Sequence, residues 1–352
     1  MFILLHFGRF FKMNKYEIRM LKREEYKKWD RLVDYCSAGT IFHKSYLLKI
    51  FDNAYIYGVF LKNGELIGGF PIVFISKFGI RMLKNPPLIP YLGLILKDKI
   101  KDHEKYISRL SREKEVAMSI AKIIKRNHHY IDIIFPPFGE FDLQPFIWEN
   151  FSTNIQYTYI LDLTKDLEEI WNEMSKKQRN AIRKAEKDGI VVELSNNIDE
   201  ILQLATKTFQ KQGKKLKFKS LALKYHENLL KRDQCKAFIS KDKDGIAIAG
   251  VYIVYDKRRA YYLIGGHDPD RSHYGATALA LWEAIKFAKN TLELIEFDFE
   301  GSMIPQIERF FRGFGGKLKP IFRIKFAKHI LKLIPISALM DIYMKININV
   351  WR

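Results

Sequence analysis

The stretches GELIGGFPIVF (residues 64–74) and GIAIAGVYIVY (residues 245–255) match at Gly64/Gly245, Ile67/Ile248, Gly69/Gly250, Ile72/Ile253 and Val73/Val254, at a constant offset of 181. Each follows a short β-rich run (55–61 and 236–240) and a polar turn ending in glycine, so each reads as the second strand of a hairpin. A duplicated hairpin predicts two halves of one plan. Working outward, helices are expected over 23–35, 43–51 and 109–127 before a buried strand at 130–135. In the second half they are expected over 167–187, 198–211, 219–231 and 275–289 before a strand at 294–299. Both halves run helices, hairpin, helix, strand. Helices and mixed strands in that order make an α/β protein with mixed (α+β) sheets. The boundary is expected at the polar FSTNIQ, before a strand at 157–161.

Sixty Lys and Arg against forty Asp and Glu give a formal charge of +20, carried by both halves. Such a field favours an anionic partner without choosing among nucleic acid, a phosphorylated substrate and an anionic membrane. Cys36 and Cys235 are too few for a disulfide framework and stand in no metal-type spacing, which points to a reducing, cytoplasmic setting. Residues 1–12 are apolar but too short to span a bilayer, and with Met13 behind them they read as an upstream start or an interfacial tail. No Walker A sequence, GxGxxG, HExxH or GxSxG occurs, and the histidines lack metal-ligand spacing. Metal, nucleoside-triphosphate and serine-hydrolase chemistries therefore lack support, and His43, His128 and His129 read as structural.

The run from Lys176 to Lys187 holds six basic residues in twelve positions. On a helix, Lys176, Arg179, Arg183 and Lys187 share one side, while Trp171, Met174, Gln178, Ala181, Ile182 and Ala185 share the other. Ser175 is a candidate N-cap and Asp188-Gly189 a stop. Further on, Gly275-Ala276-Thr277 opens a helix whose first turn can offer backbone N–H groups to an anion. In IEFDFEGS, strand alternation puts Glu296, Asp298 and Glu300 on one face and Phe297 and Phe299 on the other. Carboxylates beside a buried sheet are either functional or paired, with the basic helix, Arg309 or Arg312 as the expected partners. In the tail, Lys325, Lys328, His329 and Lys332 would share one helical face and Phe326, Ile330, Leu333 and Ile334 another, a basic amphipathic helix suited to a membrane surface or to its own domain.

In order, the basic helix followed by Gly-Ile-Val-Val, Gly265-Gly266, Gly275-Ala276-Thr277 with Leu-Trp-Glu-Ala-Ile, Phe-Asp-Phe-Glu-Gly-Ser and Phe-Gly-Gly resemble the C-terminal domain of Fem-like (FemABX-type) acyltransferases. These belong to the wider GNAT fold and stand close to uncharacterised envelope- or polysaccharide-associated GNAT acyltransferases. TIFHKSYL and PLIPYLGL resemble the family's N-terminal domain. The resemblance implies tandem GNAT-like domains: a degenerate one at 14–155, an acyltransferase domain at 156–325, and a basic tail at 326–352. It implies an N-acyltransferase acting on an amine of an anionic small-molecule or lipid-linked acceptor, a cell-envelope or nucleotide-linked precursor. Acyl-CoA or aminoacyl-tRNA would be the donor, no metal would be needed, and peripheral membrane contact would suit a lipid-linked acceptor. Arg179 and Arg183 would hold the acceptor's anionic groups, Tyr262 would line the channel, and Gly275-Ala276 would mark the donor side. Asp298 or Glu300 would take the amine proton, with Tyr261 or Tyr262 as alternatives. The family's aminoacyl-tRNA users place a lysine where Phe311 stands, so here Arg312 would substitute or the donor would differ. A non-catalytic nucleic-acid-binding protein is the rival from another class, but aromatic residues do not interleave with the basic run as base stacking requires.

Overall fold

The computed structural model describes residues 11–12, 15–77, 79–100 and 103–328, and the chain divides into two compact units. Of the described residues, the first comprises those up to 155 together with 321–328, the second residues 156–320.

Unit 1 contains strands β1 (Tyr16–Met20), β2 (Ala54–Leu61), β3 (Leu66–Lys77), β4 (Ile80–Lys84) and β5 (Tyr130–Ile134), with helices α1 (Tyr26–Tyr35) and α2 (Tyr106–Asn127). The first four strands pair antiparallel in sequence order, and β5 joins β4 in parallel after the α2 crossover. Unit 2 repeats the arrangement. Strand β6 (Ser152–Asp162) leads into helices α3 (Leu167–Glu173) and α4 (Lys176–Lys187), then β7 (Val191–Ser195), α5 (Asp199–Lys211) and α6 (Lys219–Leu230). Strands β8 (Cys235–Lys241), β9 (Ala247–Tyr255) and β10 (Arg259–His267) follow, then α7 (Ala276–Asn290), β11 (Glu296–Asp298), α8 (Pro305–Arg312) and β12 (Lys317–Ala327). Strands β7 to β10 pair antiparallel, and β11 joins β10 in parallel after the α7 crossover. The sixth strand of each set is antiparallel: the Arg323–Ala327 end of β12 beside β5, and β6 beside β11.

The two hairpins agree residue for residue. Ala54 faces Val73 as Cys235 faces Val254, and a β-bulge leaves Ile67 unpaired in one and Ile248 in the other. Gly64 (φ +83°) and Gly245 (φ +76°) close the turns in the left-handed region. At Gly69 a β-carbon would sit 2.6 Å from the Trp29 ring, and at Gly250 2.5 Å from Ile201, so each glycine admits the helix crossing its hairpin.

The expected helix at 167–187 is interrupted: α3 ends at Glu173, and Ser175 caps α4 by accepting from the Gln178 N–H. Gly189 (φ +77°) stops α4, and its inner face is Gln178, Ala181, Ile182 and Ala185. Strand β12 runs through Ala327, with Lys325 opposite Asp132 and Phe326 opposite Ile131, which corrects the tail helix expected to begin at Lys325. Strand alternation, with an antiparallel partner available, prevails over the helical spacing there. The remainder of that tail, from residue 329, lies outside the described residues. Phe11–Lys12 pairs with Glu17 and Ile18, and residues 1–10 likewise lie outside them.

Candidate active site

The site is built at the end of β11, where Phe297 and Phe299 are fully buried and hold the backbone in place. The strand stops at Asp298, and Glu300 turns left-handed (φ 55°), followed by Gly301 (φ 64°). This corrects the expectation that Glu296, Asp298 and Glu300 share one strand face. A non-glycine residue in that region costs about 1 kcal/mol or more and marks functional sites more often than chance. Glu296 is paired with Arg259 at 2.5 Å, not with the basic helix, Arg309 or Arg312. Asp298 is fully buried, and its Oδ1 accepts from the Thr158 hydroxyl (2.7 Å) and the Glu300 N–H (2.8 Å). Glu300 Oε1 is buried with no hydrogen-bond partner among the described residues. Burial first, and the neighbouring Asp298 second, push the Glu300 carboxyl well above the usual carboxylate range.

Tyr262 reaches this pair from β10. A second bulge, which leaves Leu263 unpaired between the Tyr252/Ile264 and Ile253/Tyr262 pairs, lies immediately after it. The phenol oxygen lies against Gly265, where a β-carbon would come within 1.7 Å of it. Its ring meets Phe311 edge-on at 5.2 Å, and burial, then Glu300, raise its pKa. Phe311 is itself buried against Phe299, so an aromatic wall stands where the family's lysine would be.

Other predicted residues go elsewhere. Tyr261 is fully buried on the adjacent register and donates to Asp256 (2.8 Å), so it does not join Tyr262. Arg179 donates to the Trp171 and Asn172 carbonyls at the end of α3, and Arg183 lies over the Trp171 ring at 5.4 Å. The clamp expected of these two arginines is thus directed onto α3. Gly275 fits against α4, where a β-carbon would sit 1.9 Å from the Ala181 carbonyl oxygen. The Gly275 and Ala276 N–H groups donate to His273, the Ala276 carbonyl accepts from Ser240, and Thr277 is half-buried. Close helix packing accounts for that glycine better than donor binding does.

A cleft in the same unit is lined instead by Lys177, Gln178, Tyr274, Arg309, Phe310 and Arg312, with Ala278 as its contribution from α7. Sequence reading placed Gln178 in the apolar stripe of the helix. A polar residue on that stripe was the available signal. Thr158 carried none, because its role depends on a strand partner 140 residues away.

The thiols of Cys36 and Cys235 are buried and raised by burial, Cys36 to about 12, so neither is a ready nucleophile. Buried His43 and His128 are held neutral at about 3 and about 4 by burial. Among the described residues no group of three or more His, Cys, Asp or Glu could hold a metal ion, and no helix is long and apolar enough to cross a membrane.

Residues 172–310 match the family described as acetyltransferase (GNAT) domain. The crystal structure of FemX aligns with a TM-score of 0.65 at 14% identity, over 90% of this chain and 99% of that one. A tandem GNAT protein from the clavulanic acid biosynthesis pathway aligns at 0.52 and 9% identity, over 88% and 98%. The C-terminal domain of an Agrobacterium fabrum protein described as a lysylphosphatidylglycerol synthetase aligns at 0.52 and 13%, over 91% and 96%. No curated protein matches the chain in sequence. At these identities the structural likenesses establish the fold, and the family match adds the activity class: the protein is an acyltransferase with a Fem-like fold of tandem GNAT-type units.

Proposed function

We propose that residues 156–325 form the working transferase domain, with 14–155 as its degenerate counterpart, and that the enzyme transfers an acyl or aminoacyl group to an amine of an anionic cell-envelope or nucleotide-linked precursor. The observation that carries this reading is the Asp298–Glu300 pair beside Tyr262, with a buried carboxyl oxygen left without a partner in a strained backbone. Ionised, Glu300 takes the proton as the amine nitrogen bonds to the acyl carbon. The bond from that carbon to sulfur, or to ribose oxygen, then breaks, and the proton passes to the leaving group. A carboxyl raised toward the pKa of an amine is better matched to this task than an ordinary one. Tyr262 would supply the hydrogen bond to the acyl oxygen. Asp298, held by Thr158, fixes the turn that presents Glu300.

The likenesses to FemX and to the lysylphosphatidylglycerol synthetase domain support an envelope or lipid acceptor at the inner face of the membrane. An aminoacyl-tRNA donor is the second reading, favoured by the charge of +20. Calorimetry with acetyl-CoA and with uncharged tRNA, beside turnover assays on amine acceptors, tests both. Saturable acetyl-CoA binding with turnover lost in Glu300→Gln supports the CoA-dependent form. Salt-sensitive tRNA binding without CoA binding supports the other, and turnover unaffected by Glu300→Gln overturns the site assignment.

A further inference from the structure

Strands β10 and β11 of unit 2 run parallel, so the segments that follow them, 268–275 and 299–304, leave the sheet at one end. Helix α5 reaches that end too: the Thr208 hydroxyl bonds the His267 backbone, and Lys207 pairs with Asp268 at 2.5 Å. From the last residue of α5 the chain reads KQGKKLKFK over 211–219, five lysines in nine positions. Lys211, Lys214, Lys215, Lys217 and Lys219 are all exposed, and none makes a side-chain hydrogen bond or ion pair among the described residues. Leu216 and Phe218 between them are half-buried, with the Phe218 ring edge-on to Phe209 at 6.1 Å, which anchors the loop.

The same end of the sheet exposes apolar side chains. Ile304, Ile307 and Phe311 follow at helical spacing along α8, yet only Phe311 is buried: Ile304 is 54% exposed and Ile307 39%, beside Met303 at 60%. A stripe that runs off its own core in this way marks a contact surface. Of the acids here, Asp268 is taken by Lys207 and Glu308 by Arg312 at 3.0 Å, which leaves Asp270 against five free lysines.

We propose that this end of unit 2 is a docking surface for an anionic lipid bilayer, with the lysines on the headgroup charge and Met303, Ile304 and Ile307 set into the interfacial layer. Charge complementarity selects an anionic surface. Aliphatic tips select lipid over nucleic acid, whose bases would need exposed rings to stack on. Met303 stands three residues after Glu300, so the docked face sets the candidate site at the bilayer edge. The proposal rests on the acyl-transfer reading for its purpose, which is to bring the amine of a lipid-linked acceptor to Glu300.

Flotation of the full chain with vesicles of phosphatidylglycerol and phosphatidylcholine, against vesicles of phosphatidylcholine alone, tests it. Binding is expected to the anionic vesicles and to fall with added salt. It should weaken at least tenfold in Lys214→Glu/Lys215→Glu/Lys217→Glu and about tenfold in Ile304→Ser/Ile307→Ser. These five side chains are exposed, so both variants should keep the melting temperature, and turnover on a water-soluble amine as well. Binding unchanged in both variants, or equal on the two kinds of vesicle, would overturn the proposal. Loss in only one variant would overturn it too, since the surface needs both its charge and its apolar tips. So would tRNA binding without vesicle binding, which assigns the lysines to nucleic acid, or self-association through Ile304 and Ile307 in place of vesicle binding, which assigns the stripe to a second copy. Glu300→Gln should keep vesicle binding while losing turnover. A chain that binds vesicles through this face but acylates nothing would therefore defeat the function and leave the surface, and one that acylates soluble amines but ignores vesicles would do the reverse.

Discussion

The parallel strand after the crossover carries an aspartate at the same register in both units: Asp132 opposite Lys84 in unit 1, Asp298 opposite Tyr261 in unit 2. In each, a residue from the antiparallel neighbour meets it. In unit 1 this is Arg323, which holds Asp132 through two bonds of 2.5 and 2.6 Å. In unit 2 it is the neutral hydroxyl of Thr158. Two residues further on, unit 1 has Ile134 where unit 2 has Glu300. Burial would raise Asp132, but the guanidinium overrides it and holds the carboxyl below its usual range, whereas Glu300 is driven the other way. The same fold thus makes a closed ion pair in one half and a buried carboxyl with a raised proton affinity in the other. The two units keep one frame and differ at the residue that meets the aspartate and at the one two places beyond it.

The comparison breaks most directly at Glu300. Glu300→Ile, which copies unit 1, and Glu300→Gln should each lower kcat/KM by about 10²–10⁴ in steady-state assays, the range for a lost general base. Full activity in either would remove the proposed asymmetry. Stability should also move in opposite directions with pH. The raised Glu300 contributes stability that is fully present below its unfolded pKa and is lost as pH rises toward its folded value. The depressed Asp132 contributes stability present above its unfolded pKa and lost as pH falls through its folded one. Melting curves of Glu300→Gln and Asp132→Asn across pH should each flatten only their own limb.

Next in size, Arg323→Ala leaves Asp132 buried without its guanidinium and should cost about 3 kcal/mol in denaturant unfolding, with turnover retained by the folded fraction. Gly265→Ala crowds the Tyr262 phenol in unit 2 and should cost about 2 kcal/mol by overpacking, with turnover reduced at least tenfold. Retained turnover would show that Tyr262 need not stay where it lies. Smallest, Gly64→Ala and Gly245→Ala each meet open space, so only backbone strain remains, about 1 kcal/mol in both. Unequal losses would argue that the two hairpins are not equivalent.

The hairpins were legible because their signals are local: alternation, a turn glycine, and a glycine under a crossing helix, all within eleven residues. The basic helix was legible in the same way. The kinship of Asp132 and Asp298 was not, because their offset is 166 where the hairpins keep 181. The segment from 85 to 105 and the crossover helix α2 are both longer than their counterparts at 268–275 and α7, which shifts the offset. For Arg179 and Arg183, helical spacing gives the face but not what it meets, the Trp171 ring and the carbonyls at the end of α3.

By itself, the sequence determined the two-unit plan, the amphipathic helices and the strand that leads to Asp298, since each depends on neighbours in the chain. Only the tertiary structure decided which charges are neutralised and which are kept apart. Thr158 meets Asp298 across 140 residues and Arg323 meets Asp132 across 191. Desolvation, which sets the proton affinity of Glu300, exists only once the chain has closed around it.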